Sequence, residues 1–133
     1  MNYTFKENQL DYETYYILRK SVKWNNWSRE QAEIALGNSY YTVTVFDNKV
    51  PIGMGRAVGD GIYFMIMDIV VKPEYQRMGI GSTIIHMLLE HIEKNMCVGS
   101  RVSVQLISEP DKEQFYIKPV SYTHLRAHET DSY

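Results

Sequence analysis

The sequence is poor in the features that would place the protein outside the cell, in a membrane or on nucleic acid. Its 133 residues include a single cysteine, Cys97, which excludes an internal disulfide. Without an obvious histidine partner that thiol reads as an ordinary buried group rather than a nucleophile. The longest apolar runs, residues 62–67 and 68–71, are too short to cross a bilayer, and the opening MNYTFKEN has no basic-then-apolar leader pattern. The expected compartment is therefore cytoplasmic, with no membrane partner. Excess charge of one sign is missing too: a net charge of -2 supplies no basic face for neutralising phosphates, so no nucleic-acid partner is expected and an anionic ligand must be held locally. No repeat, linker or block of like charge divides the chain, which reads as one domain.

What is present is an alternation of element types. Residues 3–6 alternate weakly as a first strand, and Tyr15, Ile17, Leu18 and Val22 recur at helical spacing over residues 11–22. Ser28 with Gln31 has the form of a capping box, predicting a helix over residues 29–36 that Gly37 and Asn38 stop. Residues 41–46 are β-branched and aromatic, Asp47-Asn48-Lys49 is turn chemistry, and residues 50–58 make the second arm of a hairpin. After the turn Gly59-Asp60-Gly61, residues 62–71 are nearly all apolar, as a central strand buried on both faces requires. Ile84, Ile85, Leu88, Leu89 and Ile92 put an amphipathic helix over residues 81–95. Val102, Val104 and Leu106 alternate as another strand, and Asp111 with Gln114 predicts a last short helix through Lys118. The order β-α-α-β-β-β-α-β-α, with a crossover helix after antiparallel hairpins, gives a mixed α+β class.

Between the central strand and the amphipathic helix lies KPEYQRMGIGS. Gly79 and Gly81 remove side chains where the backbone turns into a helix whose first N–H groups have no intrahelical partner. The N–H groups of Arg77, Met78, Gly79, Ile80, Gly81 and Ser82 would suit a pyrophosphate, aided by the positive end of the helix dipole. Two glycines so spaced are, taken alone, more often a packing device.

The stretch VVKPEYQRMGIGS resembles the acyl-coenzyme A loop of the GNAT acetyltransferase superfamily, whose pattern is Gln/Arg-x-x-Gly-x-Gly/Ala; Gln76, Gly79 and Gly81 occupy its fixed positions. IGMGRAVGDG, VQLIS and KEQFYIK are similar to the same superfamily, so the resemblance runs over residues 1–118. It implies a central, mostly antiparallel mixed sheet flanked by helices, with acetyl-CoA as cosubstrate and direct transfer of the acetyl group to a primary amine of a small molecule or peptide. It also implies that the central strand splays from its neighbour, that the pantetheine arm pairs with Ile69, Val70 and Val71, and that the acyl group lies beside Asp68. A backbone N–H near Val70 would polarise the carbonyl, and Tyr116, in Phe115-Tyr116, matches the tyrosine that protonates the leaving thiolate.

Asp68 is the only charged side chain in its strand, and a buried carboxylate must be paired, for instance with Arg56, or functional, as the acceptor of the amine's proton. Trp24, Trp27, Tyr12, Tyr15 and Tyr16 fall where the superfamily builds its acceptor site, although such a cluster is more often core. The first half is similar to a bacterial and plastid branch whose plant members acetylate arylalkylamines such as serotonin. His86 and His91, five apart, do not share a helix face for a metal and read as solvated surface. A non-catalytic acyl-coenzyme A sensor or regulator is the alternative, a phosphate-binding module unrelated to acyl transfer is weaker, and a homodimer is admitted by either.

From Pro119 the superfamily pattern stops. Residues 120–130, VSYTHLRAHET, resemble the translation, in one frame, of a transposase-based sequencing-library adapter. The expectation is a domain over residues 1–118, truncated at its C-terminal end, followed by a non-native tail over residues 119–133. His124, His128 and Glu129 then carry no zinc chemistry despite their spacing. With the closing strands missing, the strand over residues 102–107 is expected to present a bare, aggregation-prone edge.

Overall fold

The computed structural model describes residues 3–107 and, through strand pairing, residues 112–117. Six strands lie in chain order across one sheet: β1 (Tyr3–Glu7), β2 (Tyr41–Asp47), β3 (Val50–Gly59), β4 (Tyr63–Val71), β5 (Val102–Ile107) and β6 (Lys112–Ile117). Neighbours are antiparallel except β4 and β5, which are parallel. Parallel neighbours need a crossover, and helix α3 (Ile80–Lys94) supplies it. The result is the mixed, mostly antiparallel α+β sheet expected from the sequence.

Helix α1 (Tyr12–Ser21) starts where Asp11 accepts a hydrogen bond from the Thr14 N–H at 2.9 Å, and ends with Arg19 and Lys20 in its last turn, where cations complement the dipole. Helix α2 (Arg29–Gly37) starts where Ser28 accepts from the Gln31 N–H at 3.1 Å. Tyr15 and Leu18 of α1 and Ala32 of α2 cover Met54 and Val70 on one face of the sheet. On the opposite face Ile80, Ile84, Ile85, Leu88, Leu89 and Ile92 of α3 pack against Val43, Val45, Ile66, Ile69 and Val71. Gly55 lets α3 come that close, since a Cβ there would stand 2.5 Å from Ile84 Cγ2. No helix among the described residues is long and apolar enough to cross a membrane.

Two expectations for the C-terminal part are overturned. Residues 112–117 form a strand and not a helix, and β6 pairs with β5 from Ile107↔Lys112 to Val102↔Ile117, so the edge expected to be bare is covered. The physical reason is the open ladder: β5 buries Val102, Val104 and Leu106 and leaves a row of backbone groups to pair, which outweighs the weak local helix signals. Asp111 and Lys118 lie outside the described residues, as does the proposed tail with His124, His128 and Glu129.

Candidate functional site

β4 and β5 part company halfway. Their pairing runs only from Tyr63↔Ser103 to Ile66↔Leu106, while β4 continues to Val71. At the parting β4 also bulges: Arg56 faces Met67 and Met54 faces Val70, so Gly55 alone stands opposite both Asp68 and Ile69. Asp68 takes up the extra residue at φ 54°, a left-handed conformation that Asp tolerates better than most residues. Beyond the bulge the Lys72 N–H donates to Ile52 O at 2.9 Å, continuing the Met54↔Val70 register. Two-residue alternation then turns the main-chain groups of Val71 toward the side that β5 has left. Gln76 sits at the lip of this wedge, its Nε2 donating to Val71 O at 2.9 Å.

The loop into α3 follows a single 3₁₀ turn, Pro73–Tyr75. Gly79 caps the helix at φ 83°; a Cβ there would meet nothing within 4 Å, so the conformation and not space asks for glycine. The first helical bond is from the Thr83 N–H to Gly79 O at 3.1 Å, so the N–H groups of Ile80, Gly81 and Ser82 precede the ladder and point out of the helix end. Ser82 Oγ is buried without a partner among the described residues. Bare amides, a dipole end and an unpaired hydroxyl suit a diphosphate. The Tyr75 hydroxyl donates to Asp47 at 2.7 Å and the Tyr75 ring meets the Tyr3 ring edge-on, centroids 6.1 Å apart, which ties the loop to β1 and β2.

Asp68, 9% exposed, is the hub of a buried cluster. Arg56 Nε donates to it at 2.8 Å, Arg19 Nη1 at 2.6 Å and the Tyr15 hydroxyl at 2.9 Å. Burial first, then the neighbouring carboxylate, pushes the Tyr15 hydroxyl pKa up. Arg19 also donates through Nε and Nη2 to Asn25 O at 3.2 and 2.6 Å, and Arg56 through Nη1 to Ser39 Oγ at 3.2 Å. Pairing with Arg56 was legible in the sequence; Arg19 and Tyr15 were not singled out as partners. Their signal was a cation four residues after a tyrosine on the same face of α1 as buried Leu18.

A cavity of about 220 Å³ opens beside this cluster, lined by Arg19, Trp24, Trp27, Arg56, Met67, Asp68 and Ile107. Met67 and Ile107 each follow the last paired residues of β4 and β5, so the cavity stands at the mouth of the wedge. The Arg19 guanidinium lies 5.1 Å from the Trp24 ring and 5.8 Å from that of Trp27. The aromatic cluster thus divides: Trp24 and Trp27 line the cavity, Tyr15 is core, and Tyr12 and Tyr16 tilt together at 5.9 Å.

The backbone of Tyr116 is placed by its strand pairing alone. It pairs with Ser103, and its side chain lies outside the described residues. Ser103 precedes Leu106 by three residues, about 10 Å along a strand rising about 3.3 Å per residue. Two further readings are corrected. His91 is half-buried, its ring stacked on Tyr41 at 3.8 Å and 3°, because α3 crosses β2 there; burial lowers its pKa. Cys97 is exposed, since it follows the end of α3.

A family model described as Acetyltransferase (GNAT) family matches residues 3–116. The chain is 30% identical over 103 residues to an uncharacterized N-acetyltransferase, ycf52, of Pyropia yezoensis, a match covering 74% of this chain and 57% of that protein. It is 34% identical over 74 residues to the chloroplastic GCN5-related N-acetyltransferase 1 of Arabidopsis thaliana, covering 54% of this chain and 34% of that protein. A crystal structure of a protein of unknown function from meticillin-resistant Staphylococcus aureus, described as a probable acetyltransferase, matches with a TM-score of 0.74 and 30% identity, covering 96% of this chain and 89% of that one. The chain therefore spans little more than half the length of the first curated relatives.

Proposed function

The chain belongs to the acetyltransferase (GNAT) family, and on that premise we propose that it transfers an acetyl group from acetyl-CoA to a primary amine of a small molecule or peptide by direct attack. The observation that carries the reading is the wedge: β4 leaves β5 after Ile66↔Leu106, immediately beside the amide-lined end of α3. In this reading the N–H groups from Arg77 to Ser82 hold the diphosphate. The open edge of Ile69, Val70 and Val71 pairs with the pantetheine arm, and an N–H of that stretch polarises the thioester carbonyl. The acceptor amine enters from the cavity between Trp24, Trp27 and Asp68.

Asp68 fits this chemistry better as a positioning residue than as the base. Three donors occupy its two oxygens, out of about four lone-pair sites, and it fixes two guanidiniums at the cavity. The amine's proton then leaves through water at the cavity mouth. The acid for the leaving thiolate in this reading is Tyr116, carried on β6 opposite Ser103. The second reading, an acyl-coenzyme A sensor, draws on the engagement of Asp68, the cavity's one carboxylate among the described residues, by three donors.

Thiol release from acetyl-CoA over a panel of primary amines, run beside a direct coenzyme A titration, tests both. Release that depends on an amine is expected. Binding without release favours the sensor, and absence of binding removes both.

A further inference from the structure

The charges around the cavity do not balance. Its lining carries two guanidiniums, Arg19 and Arg56, and one carboxylate, Asp68. All three side chains are nearly withdrawn from solvent, at 11%, 10% and 9% exposure. Among the described residues Arg29 engages Glu13 and Glu33, and no carboxylate other than Asp68 forms an ion pair with Arg19 or Arg56. One positive charge is thus uncompensated among the described residues, in a place where water screens it poorly.

The donors are also in surplus. A guanidinium has five N–H groups. Arg56 lines the cavity and uses two of its nitrogens, one each on Asp68 and Ser39, so its Nη2 is left without an acceptor among the described residues. That nitrogen is not fully buried, so water can reach it from the cavity, and a carboxylate that displaced this water would satisfy donor and charge together. The size of the cavity adds a limit, since about 220 Å³ falls below the roughly 300–1,000 Å³ of a drug-sized site. Trp24 and Trp27 supply apolar walls for the rest of the molecule.

We propose that the preferred acceptor is a small amine that also carries a carboxylate, an amino-acid-like molecule with an apolar or aromatic body, whose carboxylate pairs with the surplus charge of Arg56 and Arg19. This rests on the acyl-transfer reading for the amine's fate, but the carboxylate preference belongs to the cavity and can be measured without acetyl-CoA.

The chain's two tryptophans both line the cavity, so their fluorescence reports its occupancy. Excited where phenyl rings do not absorb, the full chain is titrated with phenylalanine, with phenethylamine, which lacks the carboxylate, and with 3-phenylpropionate, which lacks the amine. Phenylalanine and 3-phenylpropionate are expected to saturate the quench at concentrations at least about tenfold below phenethylamine, the scale of one charge-assisted hydrogen bond. Arg56→Met leaves one guanidinium facing one carboxylate and should erase the preference. Asp68→Asn leaves two guanidiniums unopposed and should widen it, so the sign survives the failure of either variant to fold. Equal quenching by all three ligands, tighter binding of phenethylamine, or no quench from any of them overturns the inference. Thiol release in parallel separates the two claims: transfer to phenethylamine as readily as to phenylalanine would leave the acetyltransferase reading standing and remove this one.

Discussion

Arg56 on β3 and Asp68 on β4 meet at 2.8 Å across a bulge that only β4 carries. The left-handed turn at Asp68 brings its carboxylate to the face of the sheet covered by α1, within reach of Arg19 and Tyr15, so backbone irregularity and buried charge are one feature.

Replacing the carboxylate should therefore be expensive. Asp68→Asn leaves two buried guanidiniums without a counter-charge and should lower unfolding free energy by about 3–5 kcal/mol. Asp68→Ala should cost about 1 kcal/mol more, because alanine resists the positive φ that asparagine accepts. Urea denaturation of both variants checks the order; an alanine variant as stable as the asparagine one would detach the bulge from the stability.

Gly79 and Gly55 should fail for different reasons. Gly79→Ala meets open space and pays only for φ 83°, about 1 kcal/mol, while coenzyme A affinity falls because the amide loop is displaced. Gly55→Ala drives a methyl to 2.5 Å from Ile84 Cγ2 and should lose about 1–3 kcal/mol of stability through overpacking. Melting curves and coenzyme A titration read on the same pair of proteins distinguish strain at the site from a displaced α3.

Tyr116→Phe tests whether the pairing of β6 is compatible with catalysis. With Tyr116 as the acid, turnover should fall about 10²-fold, within the usual range for a proton-transfer group, and coenzyme A affinity should hold. Unchanged turnover would keep Tyr116 opposite Ser103 and out of the chemistry.

His91 should make stability depend on pH. Burial against Tyr41 lowers its folded-state pKa below the free imidazole value of 6.5, so the native state prefers the neutral ring. Its contribution is complete above pH 6.5 and is lost as pH falls through the lowered folded value. His91→Phe keeps a ring on Tyr41 and should flatten stability across that acid range; an unaltered slope in urea titrations would assign it to other groups.

The fold was legible where local pattern and tertiary demand agree. The apolar run of β4, the face of α3 and the caps Asp11 and Ser28 each announce themselves within a few residues. The loop into α3 was legible through Gln76, Gly79 and Gly81. Residues 112–117 were not, because cap-like Asp111 and Gln114 predict a helix while the open edge of β5 recruits a strand. Arg19 was missed because its partner lies 49 residues away, and no periodicity encodes such a pairing.

The tryptophan walls of the cavity and the loop into α3 come from different stretches of chain. Trp24 and Trp27 belong to the connection between α1 and α2, while the amide cradle belongs to residues 76–82 at the start of α3. Sheet residues lie between the two segments, so under the proposed function exchanging the short α1–α2 connection would alter the walls met by the acceptor while the loop that grips the donor stays intact. In that reading the aromatic walls of the acceptor site and the donor grip can change independently, because their residues sit in separate segments.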